Sequence, residues 1–273
     1  YIVPIVDHVL RQGSGKGIQA IVVYPMNALA NSQAIELEKF LCRGYPEGKP
    51  PVTFRRYTGQ EDEAEKQAII TDPPDILLTN YVMLELLLTR PHERNIVRAA
   101  RGLRFLVLDE LHTYRGRQGA DVALLVRRVR DVCSSPHLQC VGTSATLAEG
   151  GTFAEQRQEI AQVASRFFGA VVKPERIIGE TLRRATLQRD LTSPAFIAQL
   201  TQRLSDPQRQ PAEDHQSFVS DPLSVWIEST FGLATETDTG RLRRATPISI
   251  TGPDGAAREL AQATGLPEDR CVR

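Results

Sequence analysis

The run FLVLDELH, residues 105–112, decides the fold of this 273-residue chain. A short apolar run leads directly into two adjacent carboxylates, Asp109 and Glu110. Such a run reads as a strand covered on both faces, and strands of that kind belong to parallel sheets flanked by helices. In those sheets ligands gather at the carboxyl ends of the strands. There Asp109 is placed to hold Mg²⁺ through water, beside a nucleotide's phosphates, and Glu110 to orient and deprotonate an attacking water. His112, two residues on, is placed to sense phosphate and to touch the neighbouring strand end. The same residues also read as a helix cap, for Asp109, and a solvated side chain, for Glu110. Alone, the run leaves both readings open.

Outward from it, strands are expected at AIVVY (residues 20–24), VTFRRY (52–57), DILLT (75–79), FLVLD (105–109) and LQCVGT (138–143). Helical patterns lie between them, at residues 28–41, 61–70, 82–88 and 120–132, and YIVPIVDHVL at the start reads as a helix in mid-course. This alternation predicts an α/β fold, a mostly parallel sheet with helices on both faces. Prolines at 46, 50, 51, 73 and 74 punctuate the connections. Beyond about Thr192 the pattern becomes mainly helical, at residues 195–204 and 223–231, with a short strand expected within 246–255. The reading gives one domain over residues 1–190 and a mainly helical segment over 191–273, with no repeat and no long low-complexity run.

LQCVGTSATLA ends in small hydroxyl residues, Thr143, Ser144 and Thr146, placed to bond carboxylates or a histidine on an adjacent strand tip. Alone, Ser-Ala-Thr reads as a turn; some thirty residues after DELH, at another strand end, it gains meaning. GSGKG at residues 13–17 invites reading as a phosphate-cradling loop. Such a loop follows a strand and has Ser or Thr after its lysine, whereas here a helix precedes and Gly17 follows Lys16. It reads as a flexible helix-to-strand connection.

Taken together these runs resemble the first RecA-like domain of superfamily 2 helicases of the DEAD/DEAH type. DELH matches motif II and SAT, residues 144–146, motif III. YPMNALANSQ at 24–33 resembles motif Ia, with Asn27 and Ala28 where arginine and glutamate are usual. TGQ at 58–60 stands at the Gly-Gly turn, and LLTNYVMLE at 77–85 resembles motif Ib. HTYRGRQGADVALLVRRVR, YPMNALA and RIIGETLRRAT are similar to the Lhr-like and MrfA/YprA-like branch. The resemblance implies ATP and Mg²⁺ as cofactors. It implies catalytic roles for Asp109, Glu110, His112, Ser144 and Thr146, the last three coupling hydrolysis to domain closure. It also implies strand contacts from Asn27, Ala28, Gly59, Thr79 and Asn80, although for Asn27, Thr79 and Asn80 helix capping competes. The implied partners are single-stranded or partly duplex DNA, or RNA, and a second RecA-like domain of the same polypeptide. A phosphate loop is expected just before Tyr1, so the isolated chain is expected to be inactive. A translocating subunit of a restriction or phage-defence system and a non-hydrolysing nucleic-acid-binding scaffold are the alternatives.

Composition agrees. Lys plus Arg equals Asp plus Glu at 33 each, which excludes a protein coated in basic surface but not a local phosphate-binding stripe. The four cysteines form no C-x-x-C pair, so a zinc site or disulfide framework is not expected, and thiols in a reducing, cytoplasmic setting are. No apolar run reaches membrane-spanning length. Arg115 and Arg117 read as solvated loop arginines, and Trp226 as a packing residue.

Overall fold

The computed structural model describes residues 1–43, 45, 50–145, 152–206, 210, 213–236 and 240–272. The chain forms two compact units, Tyr1–Ile178 and Gly179–Arg273. The division falls ahead of the composition change near residue 191. The extended residues after Gly179 bond to the later unit, with the amides of Ala185 and Thr186 donating to Glu228.

Among its described residues the first unit carries five strands, β1 (Ala20–Tyr24), β2 (Phe54–Arg56), β3 (Ile76–Asn80), β4 (Phe105–Leu108) and β5 (Gln139–Gly142). They form one sheet in the order β2-β3-β1-β4-β5, and every pairing is parallel. All five expected strands are present: β1 with the expected bounds, β3 one residue later than expected, and the other three shorter. The helices that accompany them are α1 (Ile2–Gln12), α2 (Asn27–Leu41), α3 (Glu63–Thr71), α4 (Tyr81–Thr89), α5 (Arg94–Ala99), α6 (Gly116–Val132) and α7 (Phe153–Phe168).

Strand alternation sorts the apolar side chains to the two faces of the sheet. Ala20, Val22, Ile76, Leu78 and Val107 meet Ile5 and Val9 of α1 and Ala30 and Leu37 of α2. Ile21, Val23, Leu77, Leu106 and Leu108 meet α3 to α7 through Ile69, Leu84, Ile96, Val126 and Phe168. Each fully buried aliphatic side chain contributes about 1.5–3 kcal/mol, so both faces are firmly held.

GSGKG is a structural loop, and a fastened one. The Ser14 hydroxyl and Gly15 amide donate to the fully buried Asp75 carboxylate at 2.5 and 3.0 Å. The amide and hydroxyl of Thr53 complete the cage at 2.8 and 2.9 Å. Gly17 adopts φ +90°, and a Cβ there would stand 2.4 Å from the Ala99 carbonyl oxygen.

The second unit has α8 (Pro194–Ser205), α9 (His215–Ser220) and α10 (Pro222–Ile227), then a π-helical turn (Glu228–Gly232). A hairpin of β6 (Leu233–Thr235) and β7 (Leu242–Arg244) follows, and then α11 (Ala256–Thr264) and α12 (Glu268–Cys271). Phe196, Leu200, Val225, Trp226 and Leu260 form its core. Trp226 packs edge-on to Phe231 at 5.1 Å, a packing residue as expected. The strand expected within residues 246–255 is absent; those residues are irregular, and the strand lies earlier, at Leu242–Arg244. Pro247 has no amide to extend the ladder, which ends where Ala245 N donates to Gly232 O.

Candidate functional site

Two clusters occupy the carboxyl edge of the five-stranded sheet. The first joins the tips of β4 and β5. The Asp109 amide donates to Val23 O at 2.9 Å, extending the β1–β4 ladder by one rung. The chain then turns sharply, with Glu110 in the left-handed region at φ 53°, ψ 53°. For a residue with a Cβ this costs about 1–3 kcal/mol, and strain of this kind collects at functional sites. The turn is held by Thr143, just past β5. Its Oγ1 donates to Asp109 Oδ1 at 2.5 Å and accepts from the Glu110 amide at 3.1 Å, while its carbonyl accepts from Leu111 N at 2.8 Å. One hydroxyl thus fixes both acids against the neighbouring strand tip.

Beyond the turn a 3₁₀ segment, Leu111–Thr113, brings His112 back to the edge. Its Nδ1 lies 3.2 Å from Ser144 Oγ and 3.2 Å from Glu110 Oε2. Gly142 makes this approach possible, because a Cβ there would stand 2.1 Å from Leu111 Cδ1. Behind the cluster the hydroxyls of Tyr24 and Tyr1 lie 3.4 Å apart. Burial, reinforced by the neighbouring Tyr1 and then by the negative Asp109, raises the Tyr24 phenol far above its ordinary value; Tyr1 is raised too, by burial and Asp109, against the Tyr24 hydrogen bond.

Among the described residues no group of three or more His, Cys, Asp or Glu gathers to cage a metal. Asp109 offers one half-buried carboxylate whose Oδ1 is engaged by Thr143 and whose Oδ2 has no protein partner among the described residues. That donor set fits Mg²⁺, which keeps several waters and takes one or two carboxylates plus phosphate oxygens.

The second cluster joins the tips of β1, β2 and β3. Asn80 caps α4, its Oδ1 accepting from Met83 N at 2.7 Å. Its Nδ2 donates to Asn27 Oδ1 at 2.7 Å and Thr58 O at 3.1 Å, tying three connections together. The TGQ turn is held from beneath by buried Glu61, which accepts from the Thr58 amide and hydroxyl at 2.7 and 2.9 Å and from the Gly59 amide at 2.9 Å. Gly59 itself is exposed, at φ +88°. Helix α2 begins at Asn27 with no side chain capping its first turn, so the Asn27 and Ala28 amides face outward, the arrangement that binds anions. A hollow of about 350 Å³ lies here, lined by Met26, Asn27, Thr58, Asn80, Tyr81 and Val82 among others.

The sequence-expected residues thus fall into two groups. Asp109, Glu110, His112 and Ser144 meet in one; Asn27, Ala28, Gly59 and Asn80 surround the other. Thr79 stands apart from both, being fully buried with its hydroxyl donating to Tyr57 O at 2.6 Å, so it fixes the β2–β3 tips from inside. Thr146 lies outside the described residues. Thr143, expected with Ser144 to bond a carboxylate or histidine on the adjacent strand tip, does bond Asp109; Glu61 had no expected role, because its partners in the TGQ turn are set only by the fold. Arg115 is exposed, yet its Nε donates to His112 O at 2.9 Å and steadies the turn.

The fold and the latched acid pair define the class, a RecA-like motor domain of the helicase type. The chain belongs to the DEAD/DEAH box helicase family, whose model matches residues 1–152. It is 41% identical to the Druantia protein DruE of Escherichia coli over 108 residues, 35% of this chain and 6% of that protein. It is 31% identical to the uncharacterized ATP-dependent helicase YprA of Bacillus subtilis over 160 residues, 57% of this chain and 20% of that one. The crystal structure of the DUF1998 helicase MrfA matches with a TM-score of 0.51 at 26% identity, covering 63% of this chain and 24% of the other. The matched part spans a fifth or less of the length of DruE and YprA.

Proposed function

We propose that this chain supplies most of the first RecA-like domain of an ATP-dependent helicase that moves on single-stranded DNA, in the cytoplasm. Residues 191–273 lead toward the second such domain. The observation that carries the reading is the Thr143 hydroxyl held between the Asp109 carboxylate and the Glu110 amide. A turn kept strained and latched in this way presets two acids at the strand tips, where a nucleotide's phosphates lie in this fold.

Glu110 orients the attacking water and takes its proton. Asp109 would hold Mg²⁺, which would neutralise charge on a nucleotide's phosphates. His112 and Ser144 link Glu110 to the β5 tip, so movement at that tip reaches the acid. Thr146 belongs to the same linkage. Asn27 and Ala28 offer amides to the phosphates of a strand, contacts that carry no base information; Gly59 and the Asn80 side chain, whose donors are given to Glu61, Asn27 and Thr58, shape the surface on which the strand lies. Thr79 supports that group from beneath. Arginine from the second RecA-like domain completes the nucleotide cleft.

In the parent polypeptide, Glu110→Gln and Asp109→Ala should abolish strand-stimulated ATP turnover while leaving the circular dichroism spectrum intact. Persistent turnover would show that Asp109 and Glu110 are not the catalytic pair. The sequence contains no G-x-x-x-x-G-K-[ST] run, so the 273-residue chain alone should neither hydrolyse ATP nor unwind a duplex. Assays with DNA and RNA strands of one sequence decide which is the substrate.

A further inference from the structure

Contrary to the expectation of no repeat, the pentapeptide LRRAT occurs twice in the second unit, at residues 182–186 and 242–246. The two copies differ in backbone partner but treat their arginines alike. In the first, an extended segment, Glu228 anchors the far end. Its carboxylate accepts from the Ala185 amide at 2.7 Å, the Thr186 amide at 2.8 Å and the Thr186 hydroxyl at 2.5 Å. Alternation then points Leu182, Arg184 and Thr186 inward and leaves Arg183 exposed. Arg184 donates to Ser229 Oγ at 2.6 Å and lies 3.8 Å from Glu228.

The second copy contributes β7. Leu242 is half-buried and Arg243 is exposed. Arg244 grips the Glu180 carboxylate with Nε at 3.0 Å and Nη2 at 2.5 Å, and Arg241 donates to the Glu180 carbonyl. Glu180 stands three residues before Arg183, so it draws the two copies together. In each, the second arginine is neutralised by a glutamate of the same unit. The side chain of the first, Arg183 or Arg243, is exposed with no hydrogen bond or ion pair among the described residues.

We propose that Arg183 and Arg243 form a phosphate-contacting surface for a nucleic-acid strand, one contact from each copy. This deepens the helicase reading and rests on it. Guanidinium is a planar fork that matches phosphate oxygens and keeps its charge at every relevant pH. With the chain's net charge at zero, no diffuse basic field attracts a polyanion, so attraction must come from local unpaired cations. The two paired arginines fix the segments, and the two unpaired ones are left for a ligand.

The test uses the 273-residue chain and a fluorescein-labelled oligothymidylate, followed by anisotropy across a salt series. Three proteins are compared: wild type, R183E/R243E and N27A/N80A. Both arginines are exposed and unpaired, so R183E/R243E should melt as wild type does. It should bind roughly tenfold more weakly at about 0.1 M salt, and the slope of log K on log salt should fall by about 1.4, from two lost single-strand contacts. R183K/R243K should restore most of the slope. Unchanged affinity and slope in R183E/R243E, with N27A/N80A weakened, would overturn this proposal and leave the helicase reading standing. Absence of binding by the wild type and all variants would bring down both. If R183E/R243E instead lost only the binding of a polyglutamate probe, the surface would face an acidic protein and the proposal would fail.

Discussion

Two clusters share one sheet edge, yet they are built on opposite principles. At the tips of β4 and β5 stand two carboxylates and an imidazole, on a backbone strained at Glu110 and latched by one threonine hydroxyl. At the tips of β1, β2 and β3 stand neutral amides, two asparagines bonded to each other and the uncapped first turn of α2. The first is suited to chemistry, where charge and a preset geometry act on one water. The second suits a sliding contact, where donors must hold a phosphate without a fixed countercharge that would pin it. One is strained and charged, the other relaxed and neutral, and substitutions should separate them.

Glu110→Gln is the sharpest way to break the pair apart. The amide keeps the size of the side chain but cannot take a proton, so turnover by the parent protein should fall by about 10²–10⁴-fold. Strand affinity, which the proposal assigns to other residues, should stay put. If affinity fell with turnover, the two clusters would not be separate devices. Thr143→Val comes next. It removes the hydroxyl shared by Asp109 and Glu110, leaving both acids in place but unlatched. A loss of about 1.4 kcal/mol, or tenfold in turnover, is expected. An unaltered rate would mean that the strained turn holds itself.

The comparison also explains what could be read in advance. The parallel sheet was legible because FLVL and AIVVY are nearly pure apolar runs, and only strands covered on both faces tolerate that. Asp109 and Glu110 were legible because they adjoin such a run. Thr143 was legible only as one of three hydroxyls at a strand end, since strand register decides which one meets Asp109; Glu61 was not legible, because its partners are set by turn geometry that no local pattern encodes. Thr79 shows the reverse failing. Its place in the run was right, but strand alternation turned its hydroxyl inward to Tyr57 O. Helices α5 and α7 escaped notice too; α5 is six residues long, and α7 shows its apolar stripe only once Ala164 and Phe168 are known to face β5's side of the core.

Asn80→Ala tests the neutral cluster. It removes the cap of α4 and the links to Asn27 and Thr58 together. Cap loss alone costs about 1 kcal/mol, so the melting temperature should drop by a few degrees. Strand affinity should weaken several-fold, while turnover without a strand is unchanged. Measured together by thermal melt, anisotropy and ATPase assay, these outcomes mirror those for Glu110→Gln.

The smallest effect is expected beneath the neutral cluster, at Glu61. Burial alone pushes its carboxyl up, but hydrogen bonds from Thr58 and Gly59 outweigh burial and hold it below the ordinary glutamate value. A group depressed in the folded state stabilises most when ionised in both states. Its contribution is therefore complete above the ordinary value and disappears as pH falls through the lower, folded one. Glu61→Gln keeps one acceptor oxygen for the three donors and should cost about 1 kcal/mol at neutral pH. At acidic pH, where the wild-type carboxyl is itself protonated, the two proteins should melt together. A gap in melting temperature that persists at low pH would mean that Glu61 supports the turn by shape alone, and that the neutral cluster needs no buried charge beneath it.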